Sequence, residues 1–211
     1  MTGKKNVSLP CAVGSTSYID TVKNSYYVDK TLLIRDLIDG HAAVTLFTRP
    51  RRFGKTLAVD MLKVFFEKTD EENSVYFRDK KIWDCGEFYR KQQGAYPVIY
   101  ITFKDVKFDN WKDSLEAIRL VIRDEYMRHA DILSWDGLDV VEKDYLDRMQ
   151  KGTLSNVEYT RALLNLSRML EKYHNKKIVV LIDEYDTPIQ QGHSKGFYNE
   201  VITFMRNFMS G

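Results

Sequence analysis

Apolar positions along the chain recur with two different periods, and the places where the period changes divide it into elements. Residues 1 to about 25 show neither period. They are polar, contain Pro10 and Gly14, and read as an arm with weak local structure. Leu32, Leu33, Leu37 and Ile38 follow at helical spacing, with Asp29 placed to cap a short helix and Gly40 to stop it. Val44, Leu46 and Phe47 form an apolar run that predicts a buried strand over 44–48. Leu57, Met61, Leu62, Phe65 and Phe66 then return to helical spacing, predicting a helix that ends near Lys68. A charged turn (Asp70, Glu71, Glu72, Asn73) leads to a short apolar stretch, Val75-Tyr76-Phe77, and Ile82 and Trp83 read as local core. Between Pro97 and Lys104 the chain is nearly continuously apolar, which suits a strand buried on both faces over 98–103.

The second half is mostly helical in pattern. Leu115, Ile118, Val121, Ile122 and Tyr126 line one side of a helix over 111–130, and Gly137 separates it from a second around Val140 to Met149. Gly152-Thr153 breaks that helix. Ser155-Asn156-Val157-Glu158 is a capping-box signature that opens a third, running to about Tyr173. Three consecutive helices exceed one simple crossover, so approximately 111–150 reads as a helical insertion on an α/β core. Ile178-Val179-Val180-Leu181-Ile182 predicts another buried strand, and Asp183-Glu184 follows it directly. Asp186 and Pro188 continue as a loop before a helix over 197–208.

Composition narrows the class without choosing a function. The chain has 211 residues, 44% hydrophobic and 29% charged, with a net charge of +2. These values are ordinary for a globular domain and give no bulk signal for nucleic acid. Cys11 and Cys85 provide no disulfide framework, and His41, His129, His174 and His193 have no zinc-ligand spacing. No apolar run reaches membrane-spanning length and no signal peptide is seen, so the cytoplasm is the expected location.

Two stretches carry chemistry. The first is Arg49-Pro-Arg-Arg-Phe-Gly-Lys-Thr-Leu, lying between an expected strand and an expected helix. That context turns Gly54-Lys55-Thr56 into a phosphate-loop candidate. Gly54 lets the backbone approach a phosphate, Lys55 brings a point charge, and the Thr56 hydroxyl is suited to Mg²⁺. Arg51, Arg52 and Phe53 complete the nucleotide-binding candidates; the two arginines are placed for phosphates or a neighbouring subunit. Arg49 stands where the general motif has its first glycine. The second stretch is Asp183-Glu184 at the carboxyl end of a strand, where open α/β sheets bind ligands. Asp183 would support the metal and Glu184 would deprotonate an attacking water, making the two stretches halves of one site.

Together with Tyr-Val-Asp-Lys-Thr at 27–31, the arginine-rich loop and Leu-Ile-Asp-Glu-Tyr-Asp-Thr-Pro-Ile at 181–189 resemble the bacterial AAA-ATPase-like family. The resemblance spans roughly 15 to 200. The arginine-rich loop is that family's own form of the motif. The resemblance implies an α/β fold, a three-layer P-loop NTPase sheet, with ATP and Mg²⁺ as cofactors and hydrolysis catalysed by Glu184. It also implies a longer protein, often with a nuclease-like domain after the ATPase, and leaves room for a homo-oligomer. On this reading 1–211 is a partial domain, truncated after the Asp-Glu strand. The strands at 44–48 and 178–182 would then flank a slot of two strand spacings, roughly 9.5 Å. Two other readings stay open: a nucleotide-regulated interaction module with negligible turnover, and a P-loop small-molecule kinase. In the kinase, the two strands would pair directly.

Overall fold

The computed structural model describes residues 14–48 and 53–210. They form two compact units, one reaching to Tyr96 and the other starting at Pro97.

The first unit is built on three helices, α1 (Tyr18–Asn24), α2 (Leu32–Gly40) and α3 (Lys55–Phe66). In α3, Val59, Met61, Leu62, Val64, Phe65 and Phe66 are buried. Residues 18–24, expected to belong to a weakly structured arm, form α1 because the Ser17 hydroxyl accepts from the Asp20 N–H at 3.2 Å and caps it. Tyr18 then fills the core: its ring stacks on Phe77 at 5.0 Å and takes the edge of Tyr27 at 5.2 Å. Its N–H donates to Asp60 Oδ2 at 2.6 Å and its hydroxyl to the Tyr76 carbonyl at 3.0 Å. Tyr27 therefore packs inside this unit, whereas Tyr26 is exposed. Two short helices, α4 (Lys81–Asp84) and α5 (Glu87–Arg90), follow, with Ile82 buried as expected.

The expected strand at 44–48 is not formed. Those residues have no regular structure, and Val44 and Leu46 are 86% and 61% exposed. An extended apolar run becomes a strand only when its backbone groups find a ladder. No described strand pairs with this run, so the expected slot beside it is likewise undefined.

The second unit centres on two strands, β1 (Val98–Thr102) and β2 (Val179–Asp183), paired in parallel with Val98 opposite Val179 and Thr102 opposite Asp183. Helix α6 (Trp111–Arg128) connects through α7 (Val140–Lys151), α8 (Asn156–Thr160) and α9 (Ala162–His174) to β2. Ile99, Ile101, Ile118, Ile122, Met149 and Leu166 share one core, so the helices of 111–150 pack with β1 and β2 in a single compact unit. The expected capping box of Ser155 with Glu158 forms, and Asp139 with Glu142 makes a second one at the start of α7. The expected third helix is divided at Arg161, where the backbone leaves helical geometry between α8 and α9. β2 is less buried than its sequence suggests, with Val180 37% exposed, because β1 is the only described strand beside it.

After β2, α10 (Asp186–Lys195) stands where a loop was expected, and α11 (Tyr198–Met209) follows. Asp186 and Pro188 are turn formers, but both also suit the first turn of a helix, whose N–H groups have no intrahelical partner. Gly192 lets α10 and α11 approach closely: a Cβ there would lie 2.6 Å from Val201 Cγ1.

The outer edge of β1 is closed by side chains of α6. The buried Glu125 carboxylate accepts from the Tyr100 N–H at 2.8 Å, and Arg128 donates to the Val98 carbonyl. Arg128 also pairs with both Glu125 oxygens, and His129 lies 3.3 Å from one of them. Burial pushes the Glu125 carboxyl up, but Arg128, His129 and the Tyr100 N–H together hold it below the usual range. Because the folded value is depressed, its stabilising contribution is present above the ordinary carboxylate range and is lost as pH falls through the folded value. Glu125→Ala is expected to cost about 3 kcal/mol, by taking the carboxylate acceptor from the Tyr100 N–H and the counter-charge from Arg128. Urea unfolding at neutral pH checks the loss. Repeating it in acid should show the gap between the proteins narrowing.

Candidate functional site

At the start of α3 the backbone departs from ordinary helix entry. Gly54 is left-handed, with φ 72° and ψ 32°, and provides no side-chain cap. A Cβ at Gly54 would meet only Lys30 Nζ, at 3.6 Å. Conformation rather than space therefore calls for glycine here. The Ala58 N–H bonds to the Gly54 carbonyl at 3.0 Å, starting the helix ladder. Among the described residues no group accepts from the N–H groups of Lys55, Thr56 or Leu57. N–H donors without an acceptor among the described residues, at the positive end of a twelve-residue helix, suit an anion. Lys55 and Thr56 are half-buried there and Phe53 is 61% exposed. Arg51 and Arg52 lie outside the described residues.

In the second unit, Asp183 closes β2 and is only 5% exposed. Its carbonyl accepts from the Phe103 N–H at 3.1 Å, which fixes the strand end against β1. Register partners in a parallel pair present their side chains on one face, so Thr102 lies beside Asp183. The Thr102 hydroxyl is buried without a hydrogen-bond partner among the described residues. The sequence reading did not single out Thr102; only the strand register brings it to Asp183. Among the described residues, no three His, Cys, Asp or Glu side chains are grouped to hold a metal by themselves.

Glu184 follows with φ 52°, a left-handed conformation that side chains beyond glycine seldom adopt. Its carbonyl accepts from the Thr187 N–H at 3.0 Å, and its Oε2 from the Thr187 hydroxyl at 3.2 Å. These two bonds fold the strand end directly into α10 and hold the half-buried carboxylate next to Asp183 in the chain. A strained acidic residue directly after a strand is a candidate for chemistry.

Residues 12–211 match the model of a family described as predicted AAA-ATPase. The chain belongs to this AAA-ATPase-like family. A similar protein from Azotobacter chroococcum mcd 1, described as an uncharacterized protein in the vnfD 5′ region, is 29% identical over 182 residues. That match covers 86% of this chain and 29% of the Azotobacter protein, so the chain spans less than a third of that relative's length. No solved structure matches. In this AAA-ATPase-like chain, no helix among the described residues is long and apolar enough to cross a membrane.

The strain at Glu184 is open to measurement. Glu184→Gly relieves the left-handed penalty, and stability is expected to rise by about 1 kcal/mol despite loss of the Thr187 side-chain bond. Denaturant unfolding of the variant beside the parent reads this. A less stable variant would mean that the Glu184 side chain contributes more to packing than its backbone costs.

Proposed function

We propose that this AAA-ATPase-like chain binds ATP with Mg²⁺ and that the full-length protein hydrolyses it. The observation that carries the reading is the start of α3, where Gly54 is left-handed and the N–H groups of Lys55, Thr56 and Leu57 have no acceptor among the described residues. Such a helix end suits a phosphate group. The finer fold reading goes with it: β1 and β2 belong to a three-layer P-loop sheet, with Asp183 and Glu184 at the carboxyl end of β2. A cytoplasmic setting, where ATP is plentiful, accompanies the proposal, as does assembly into a homo-oligomer.

The donor set suits Mg²⁺. That ion keeps several waters and takes one or two protein oxygens together with substrate phosphates, so a cage of three protein carboxylates is not needed. Thr56, at the start of α3, is the residue of this site that would hold it, and Asp183 is the metal candidate of the second unit. When bound, Mg²⁺ neutralises charge on the β- and γ-phosphates. Lys55 adds a positive charge to the same phosphates. The α3 N–H groups orient them without reorganising, because the helix already fixes their direction. Glu184 accepts the proton of the attacking water, held by its bond to Thr187 until substrate arrives. Arg51, Arg52 and Phe53 extend the nucleotide-binding surface in this reading.

Saturating Mg²⁺–ATP, near a hundredfold of its dissociation constant, is expected to stabilise the protein by about 2.7 kcal/mol. The thermal shift should vanish in Lys55→Ala while the melt without nucleotide stays where it was. A shift of unchanged size in that variant would move the nucleotide site away from α3.

Hydrolysis is tested separately. Glu184→Gln is nearly isosteric but cannot take the proton, so it is expected to keep ATP binding and lose roughly 10²- to 10⁴-fold in turnover. Phosphate release by the full-length protein is the readout. Turnover at the parent rate would remove Glu184 from catalysis.

A further inference from the structure

We propose that Lys30 is a second phosphate-binding cation at the start of α3, acting with Lys55 on the polyphosphate chain of the nucleotide. The inference rests on the nucleotide-binding reading above and extends it to a residue far upstream in sequence. The Lys30 amine lies 3.6 Å from where a Cβ on Gly54 would stand, at the entrance to the helix.

That position is electrostatically unfavourable without a ligand. The start of α3 is the positive end of a helix dipole, and Lys55 already adds a full charge there. Lys30 brings another. Among the described residues Lys30 forms no ion pair that would neutralise it. The adjacent carboxylate, Asp29, is occupied elsewhere: Oδ1 accepts from the Thr31 N–H at 2.8 Å and the Thr31 hydroxyl at 2.7 Å, and Oδ2 accepts from the Lys81 N–H at 2.8 Å. Burial pushes the Asp29 carboxyl up, but these bonds hold it below the usual range, so it stays ionised in place.

The same bonds immobilise the backbone that carries Lys30. Its N–H donates to the Tyr27 hydroxyl at 3.3 Å, and its carbonyl accepts from the Leu33 N–H at 3.0 Å. Thr31, fully buried, accepts from the Ile82 N–H at 3.2 Å. The backbone on both sides of Lys30 is therefore anchored, while its exposed side chain makes no bond to any described residue. A fixed stem presenting an unmatched cation to a helix N-terminus is suited to an anion of several charges. A nucleoside polyphosphate is such an anion. This also gives the Tyr-Val-Asp-Lys-Thr stretch a division of labour: Tyr27, Asp29 and Thr31 hold the turn and Lys30 reaches from it.

The test is Mg²⁺–ATP titration by calorimetry of the full chain as parent, Lys30→Met, Lys30→Arg and Lys55→Ala, each also melted without nucleotide. Lys30→Met is expected to weaken ATP binding about tenfold, the scale of one charge-assisted hydrogen bond, with a nucleotide-free melt no lower than the parent's. Lys30→Arg should retain most of the affinity, and the deficit of Lys30→Met should shrink as salt is raised. If the parent and Lys30→Met bind equally while Lys55→Ala fails, the Lys30 assignment is overturned and the nucleotide site stands. If Lys30→Met and Lys30→Arg lose affinity alike and both melt early, Lys30 serves packing and the assignment is again overturned. If the parent binds no ATP, the nucleotide reading falls and takes Lys30 with it.

Discussion

Backbone groups in a small parallel sheet have to be satisfied on both sides of every strand, and that constraint organises the larger unit. β1 and β2 satisfy each other along one side. On the outer side of β1, α6 brings Glu125 to the Tyr100 N–H and Arg128 to the Val98 carbonyl. A carboxylate and a guanidinium thus stand in for a neighbouring strand. The Glu125 charge can be buried because Arg128, whose side chain stays 32% exposed, neutralises it and the Tyr100 N–H bonds to it. The arrangement also fixes the rotation of α6, which sends Ile118, Ile122 and Tyr126 into the core shared with Ile99 and Ile101. With β1 held this way, β2 is fixed in turn, and its last residue, Asp183, is placed against Thr102.

The two chemically suggestive places obey opposite local rules. At the start of α3 the left-handed residue is Gly54, for which that conformation is easy. At the end of β2 it is Glu184, for which it is costly. A glycine would relieve the second strain but would remove a carboxylate. The surrounding bonds to Thr187 maintain the strained turn. Stability and chemistry therefore make different demands at Glu184, whereas at Gly54 they agree.

The smaller unit shows how a polar-looking segment becomes part of a core. Few residues before Leu32 are aliphatic, yet Tyr18, Thr21 and Thr31 are buried. Each carries a hydroxyl that finds a partner: Tyr18 on the Tyr76 carbonyl, Thr21 on the Ser17 carbonyl, Thr31 on Asp29. Hydroxyl-bearing side chains can be buried at little cost when those bonds are made. Apolar periodicity does not register them, which is why this stretch reads as an arm.

What the sequence determined by itself is local. The capping box at Ser155, the helix after Gly54, the periodicity of α6 and the apolar runs of β1 and β2 involve residues a few positions apart, and each appears in the structure. The candidate residues Gly54, Lys55, Thr56, Asp183 and Glu184 were visible for the same reason, since each motif is contiguous. Tertiary structure decided which extended runs became strands: 98–102 and 179–183 pair with each other, while 44–48 finds no ladder among the described residues. It also decided that Thr102 lies beside Asp183 and that Lys30 reaches Gly54. Strand pairing and side-chain convergence depend on chain closure over tens of residues and on hydrogen bonds between distant groups. A local pattern shows that a segment favours an extended or helical form, but its partner is selected only when the packed chain satisfies its backbone and places its charges.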